Sequence, residues 1–127
     1  MPSHREDAKP RVMVVDDEEP IRRMMGNLLR KLGCTVDTAD GSDAATRLLE
    51  QDDYDMVLVD VVMPGVDGLE LAEQMHRQWP ETRVVIMSGK AKSWMLGEAF
   101  NAGVIDFLCK PIDREQLQHL LHRFLWN

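Results

Sequence analysis

Short apolar runs alternate with longer amphipathic stretches along the chain. Extended segments fall at Val12–Val15, the more polar Thr35–Ala39, Met56–Val59, Val84–Met87 and Ile105–Leu108, all of strand length. Between the first two, Ile21, Met24, Met25, Leu28 and Leu32 recur at helical spacing, Pro20 suits a first helical turn and Gly33 ends it. Ser42 or Asp43 can cap a second helix through Glu50, Asp67 a third through Gln78, and Ser93 a shorter fourth ending near Asn101-Ala102-Gly103. Leu117, Leu120, Leu121, Phe124 and Leu125 form the stripe of a last helix, predicted to run almost to Asn127. Strand-then-helix units in such regular alternation predict an α/β fold with a parallel sheet and right-handed crossovers.

Four of the runs end on a reactive side chain: VMVV on Asp16-Asp17, MVLV on Asp60, VVIM on Ser88 and DFLC on Lys110-Pro111. In a parallel sheet flanked by helices such strand ends share one edge, where ligands bind. Three acids, a hydroxyl and a lysine would meet there in one shallow pocket. That set suits transfer of a phosphoryl group onto an aspartate.

A chain of 127 residues with 44% hydrophobic composition suits one folded domain, predicted over residues 11–127 behind a polar N-terminal extension at 1–10. A net charge of −7 and a pI near 5.0 disfavour direct binding to nucleic acid or to an anionic membrane, while a cation could sit among the acids. No apolar run approaches a membrane span, and Met1–Pro10 lacks a signal-peptide core, so a cytoplasmic location is expected. Cys34 and Cys109 follow no metal or redox spacing; both adjoin apolar segments and are expected to be reduced, buried thiols. His4, His76, His119 and His122 share no metal spacing, and a solvated helix face accounts for His119 and His122.

VVDDEEP, LVDVVMPGVDG, VVIMSG and the FLCKP ending closely resemble the receiver domains of two-component response regulators, over about residues 11 to 126. Order, spacing and residue type agree at four separated places. The resemblance implies a flavodoxin-like, doubly wound sheet of five parallel strands in the order 2-1-3-4-5, with five helices on its two faces. It also implies a phosphoryl-accepting switch rather than an enzyme in the usual sense, charged by a histidine kinase or a histidine phosphotransfer protein and read by a downstream protein.

On this resemblance Asp60 is the phosphoacceptor, its carboxylate forming an aspartyl phosphate. Asp16, Asp17 and Asp60, with the backbone carbonyl of Val62, would hold a divalent cation, expected to be Mg²⁺. Ser88 would hydrogen-bond a phosphoryl oxygen and Lys110 would pair with Asp60 or the new phosphate, aimed by a Lys110-Pro111 bond that is commonly cis in the family. Phe107 holds the switch-aromatic position three residues before Lys110 and would turn inward as Ser88 moves toward the phosphate, and Val62 and Lys90 border the route of the hydrolytic water and would tune the phosphorylated lifetime. The partner face is expected around the fifth strand and its flanking helices; a homodimer is compatible with the chain.

Each of these residues also has an ordinary structural role. Asp60 could be a turn acid, Asp16 and Asp17 could complement a helix N-terminus as Glu18 and Glu19 do, Ser88 and Lys110 could be loop residues, and Phe107 a strand aromatic. Trp94, His119 and Trp126 either face a partner or pack at helix ends. Three other functional readings stay open: a receiver cut from a longer regulator, an aspartate-nucleophile phosphohydrolase, and an interaction module that never needs phosphate. Valine at 62 argues against the hydrolase, which usually carries a second acid there, and the complete acceptor set argues against the last.

Overall fold

The computed structural model describes residues 9–63, 65–89 and 93–126, with side chains at all of them except Val66 and 93–96. Five strands, β1 (Arg11–Val15), β2 (Thr35–Ala39), β3 (Met56–Asp60), β4 (Arg83–Ser88) and β5 (Asp106–Cys109), form one parallel sheet in the order β2-β1-β3-β4-β5. Helices α1 (Glu19–Lys31), α2 (Ser42–Gln51), α3 (Gly68–Gln78), α4 (Ser93–Asn101) and α5 (Arg114–Phe124) connect or follow the strands. A two-residue antiparallel ribbon, Val62–Met63 against Val66–Asp67, stands between β3 and α3.

The two-residue period of the strands sorts their side chains onto two faces. Met13, Val15, Val57, Val59 and Ile86 join Leu49, Leu71, Ala72 and Met75 from α2 and α3. Val12, Val14, Met56, Leu58, Val85 and Met87 join Met25 and Leu29 of α1 and Leu117, Leu120 and Leu121 of α5. Because both faces are covered, the central strands read as unbroken apolar runs rather than alternating ones. At their carboxyl ends these runs meet Asp16, Asp60 and Ser88, on the sheet edge that carries the candidate chemistry.

Several sequence expectations shift. Met24 is 41% exposed; the inward position on α1 is taken by Leu29, next to Met25 on the helical stripe. A 100° step per residue carries Met24 off the face that Met25, Leu28 and Leu32 share. Helix α2 begins at Ser42 itself, with Gly41 at the cap position and no side-chain cap bond, so neither Ser42 nor Asp43 caps it. Asp67 does cap α3, its Oδ1 accepting the N–H groups of Leu69 and Glu70 at 3.0 and 3.3 Å. Helix α5 stops at Phe124, and Trp126 packs beyond it against the α1–α5 core with its ring 5.1 Å from that of His122. The Ser93 and Trp94 side chains and the whole of Lys90 lie outside what the structure describes.

At the sheet end away from the acids, Arg11 bridges Asp37 and Asp52 at 3.3 and 3.2 Å. Tyr54 donates to the same Asp37 carboxylate at 2.6 Å, and burial, then that hydrogen bond, push its phenol up to about 12. This network ties β1, β2 and the loop before β3 together.

Candidate functional site

The strand order sets β1 beside β3, β3 beside β4 and β4 beside β5, so their carboxyl ends form one continuous edge. Asp16 follows β1 and is fully buried. Its N–H donates to the Ala39 carbonyl at 3.1 Å, Oδ1 accepts the Glu18 N–H at 2.9 Å, and Oδ2 accepts from Lys110 Nζ at 2.9 Å. Asp60, the last residue of β3, is 3% exposed. Its Oδ1 accepts the Val62 N–H at 3.1 Å and its Oδ2 accepts from Lys110 Nζ at 3.2 Å. Asp17 is exposed, yet one carboxylate oxygen from each of Asp16, Asp17 and Asp60 lies within 4.8 Å of the others.

Three hard, anionic oxygen donors facing one point fit a small divalent cation that keeps part of its water shell, such as Mg²⁺. Ser88 ends β4 and is buried; its carbonyl accepts the Lys110 N–H at 2.8 Å. Lys110 follows β5 and its bond to Pro111 is cis. Phe107 is half-buried on β5 and packs on the α2–α3 side of the core. Val62 is 68% exposed beside Asp60. Cys34 is buried, whereas Cys109 is exposed, against expectation: as the last residue of the edge strand it alternates with buried Leu108 and misses the α5 side of the core.

The electrostatics follow from counting charges. Burial raises the Asp60 carboxyl above its ordinary value; the Val62 N–H opposes this, Asp16 adds to it, and Lys110 opposes it. Burial alone would lower Lys110, but hydrogen bonding and charge from Asp16, then from Asp60, leave it raised. One ammonium thus faces two buried carboxylates: it gains from both, while each acid has half a partner and a like-charged neighbour.

Sequence reasoning paired Lys110 with Asp60 and missed that it lies closer to Asp16. It also missed the Asp16 carboxylate accepting the N–H two residues on, although an Asp before a helix start is the usual signal of such a turn. Glu18 was given only to the helix N-terminus, yet its Oε1 stands 4.0 Å from Lys110 Nζ. The glycine that opens α3, Gly68, was missed as well. A Cβ on Gly68 would lie 2.5 Å from Val61 Cα and 2.7 Å from the Asp60 carbonyl oxygen, so only hydrogen lets α3 start against the Asp60-Val61 peptide. Gly68→Ala is expected to cost about 1–3 kcal/mol in urea unfolding, the range for forced overpacking. A parent-like midpoint would show that the loop yields freely.

No helix among the described residues is long and apolar enough to cross a membrane. The transcription factor SKN7 of Chaetomium thermophilum is 32% identical over 121 residues, 94% of this chain and 16% of that protein. The transcriptional regulatory protein ResD of Bacillus subtilis is 31% identical over 107 residues, 84% of this chain and 44% of that one. The chain therefore spans less than half the length of either. The chemotaxis protein CheY4 of Vibrio cholerae has the same fold, with a TM-score of 0.88 at 28% identity, covering 93% of this chain and 100% of that one. With the response regulator receiver domain model matching residues 12–122, and an α/β sheet that sets paired acids, an aspartate, a serine and a lysine on one edge, the chain belongs to the response regulator receiver domain family.

Proposed function

We propose that the chain is a phosphoryl-accepting signalling switch, charged on Asp60 by a histidine kinase or a histidine phosphotransfer protein. The observation that carries this is the meeting of buried Asp60 with Asp16, Asp17 and Lys110 on one sheet edge. An Asp60 carboxylate oxygen attacks phosphorus, a P–O bond to aspartate forms, and the donor leaves with the electron pair of the bond that breaks. Bound Mg²⁺ would supply charge neutralisation for the equatorial phosphoryl oxygens. Asp16, Asp17 and Asp60 would hold it, together with the Val62 carbonyl.

Lys110 swings its ammonium from carboxylate to phosphate as negative charge builds there, and Ser88 donates its hydroxyl to a phosphoryl oxygen. Phe107, half-buried one strand across from Ser88, turns inward as Ser88 moves and so changes the face around β5, α4 and α5 that a partner protein reads. Val62 cannot orient an attacking water, which favours a slow return to the resting state; Lys90 is assigned to the same tuning role. SKN7 is a transcription factor and ResD a transcriptional regulatory protein; for this chain, with a net charge of −7, the proposed output runs through protein contacts rather than DNA.

Acetyl phosphate is a sufficient donor for the test. In Mg²⁺, mass spectrometry of the intact and digested protein should show one added phosphoryl group on Asp60, and EDTA should prevent it. A phosphate located on another residue, or uptake indifferent to EDTA, would defeat the assignment.

A further inference from the structure

Four acidic residues follow one another from Asp16 to Glu19, and one arginine of α1 reaches back to the first of them. Arg22 Nη1 donates to the Asp16 carbonyl oxygen at 2.7 Å, a short, charge-assisted bond. Arg22 is itself half-buried. The Asp16 carbonyl is part of the planar peptide that joins Asp16 to Asp17, so its direction fixes the plane from which Asp17 departs. The rest of Asp16 is held by the Ala39 carbonyl, the Glu18 N–H and Lys110. Asp17 is the exposed member of the three acids, and its placement depends on the peptide before it.

We propose that Arg22 is a positioning residue of the cation site: its guanidinium locks the Asp16-Asp17 peptide so that the Asp17 carboxylate meets those of Asp16 and Asp60. The inference rests on reading the three acids as a Mg²⁺ site. It goes against what charge alone would give. A guanidinium near the acids repels a divalent cation, so if Arg22 acted by charge its removal would tighten binding. A lock has the opposite sign, because loss of a group that orients a metal ligand typically weakens affinity about 10–100-fold. A purely structural arginine would change the unfolding midpoint and leave affinity in the folded state alone.

The test titrates Mg²⁺ into the ¹⁵N-labelled full chain and follows the amide shifts of Asp17 and Val61, beside thermal unfolding in EDTA. Arg22→Gln is expected to raise the Mg²⁺ Kd about tenfold, with little change in the EDTA midpoint. Arg22→Lys keeps the charge and one donor, and should fall between parent and Arg22→Gln. Unchanged or tighter binding in a folded Arg22→Gln overturns the lock. If Arg22→Gln is unfolded in EDTA, Arg22→Lys decides: a folded protein with a Kd raised severalfold upholds the proposal, and a parent-like Kd overturns it. A parent that shows no Mg²⁺-dependent shifts, or shifts that persist unaltered in Asp17→Asn, overturns the cation reading itself; a parent that binds normally confines the failure to Arg22.

Discussion

Asp60→Asn is expected to lose phosphoryl uptake and gain stability at once. Radiolabel from acetyl phosphate in Mg²⁺ should fall to background, because an amide supplies no carboxylate nucleophile. In EDTA at neutral pH the same variant should melt above the parent, by roughly 2–8 °C if about 1 kcal/mol is recovered. The sign follows from the raised Asp60 carboxyl, whose chief cause is burial. A carboxyl whose folded value lies above its unfolded one favours folding while protonated. That contribution is present below the ordinary value of 3.8 and is lost as pH rises through the folded value. Asparagine keeps the neutral shape at every pH, so the gain over the parent should be largest near neutrality and vanish in acid. Parent-like labelling would remove Asp60 from the chemistry, and a lower midpoint in EDTA would reverse the electrostatic account of the pocket.

How much of this was readable beforehand depends on the range of the interaction. Strands and helices follow from local periodicity, and β2 and the body of α3 fall where the pattern puts them. The α1 stripe went wrong at Met24 because apolar residues occupy adjacent positions 24, 25, 28 and 29, and only packing against β1 and α5 selects the phase. The Asp113 capping box with Gln116, which opens α5, was missed although D-x-x-Q was visible in the sequence. Strand order came from the family resemblance, since alternation of strand and helix fits several orders. Asp60, Asp16 and Lys110 could be named because strand ends must share an edge. Which acid the lysine prefers, across 94 positions of chain, depends on side-chain geometry that no local pattern encodes. Arg22 and Gly68 belong to the same class: each acts on a backbone group, the Asp16 carbonyl and the Asp60-Val61 peptide, whose position exists only after folding.

Lys110→Met is the converse experiment, and it should lower stability in EDTA by about 3–5 kcal/mol, the range for breaking a buried charge pair from one side. Lys110 is 17% exposed and its partners Asp16 and Asp60 are 0% and 5% exposed by side chain, so solvent does little to screen the carboxylates it leaves behind. Methionine fills much of the aliphatic volume, which isolates the loss of the ammonium from a packing defect. Mg²⁺ should then stabilise the variant more than the parent. The ammonium sits on the Asp16 and Asp60 oxygens that would ligate the cation, and in the variant nothing competes for them. At a hundredfold excess over its Kd, one bound ion adds about 2.7 kcal/mol if the unfolded chain does not bind it, so tighter binding in the variant widens that increment at equal Mg²⁺. Urea unfolding with EDTA and with a fixed Mg²⁺ concentration measures both quantities. The two substitutions thus move apo stability in opposite directions for one reason, a pocket that carries more carboxylates than ammonium. Unaltered EDTA stability in Lys110→Met, or an equal Mg²⁺ increment in variant and parent, would show that the lysine does not hold the pocket's charge together.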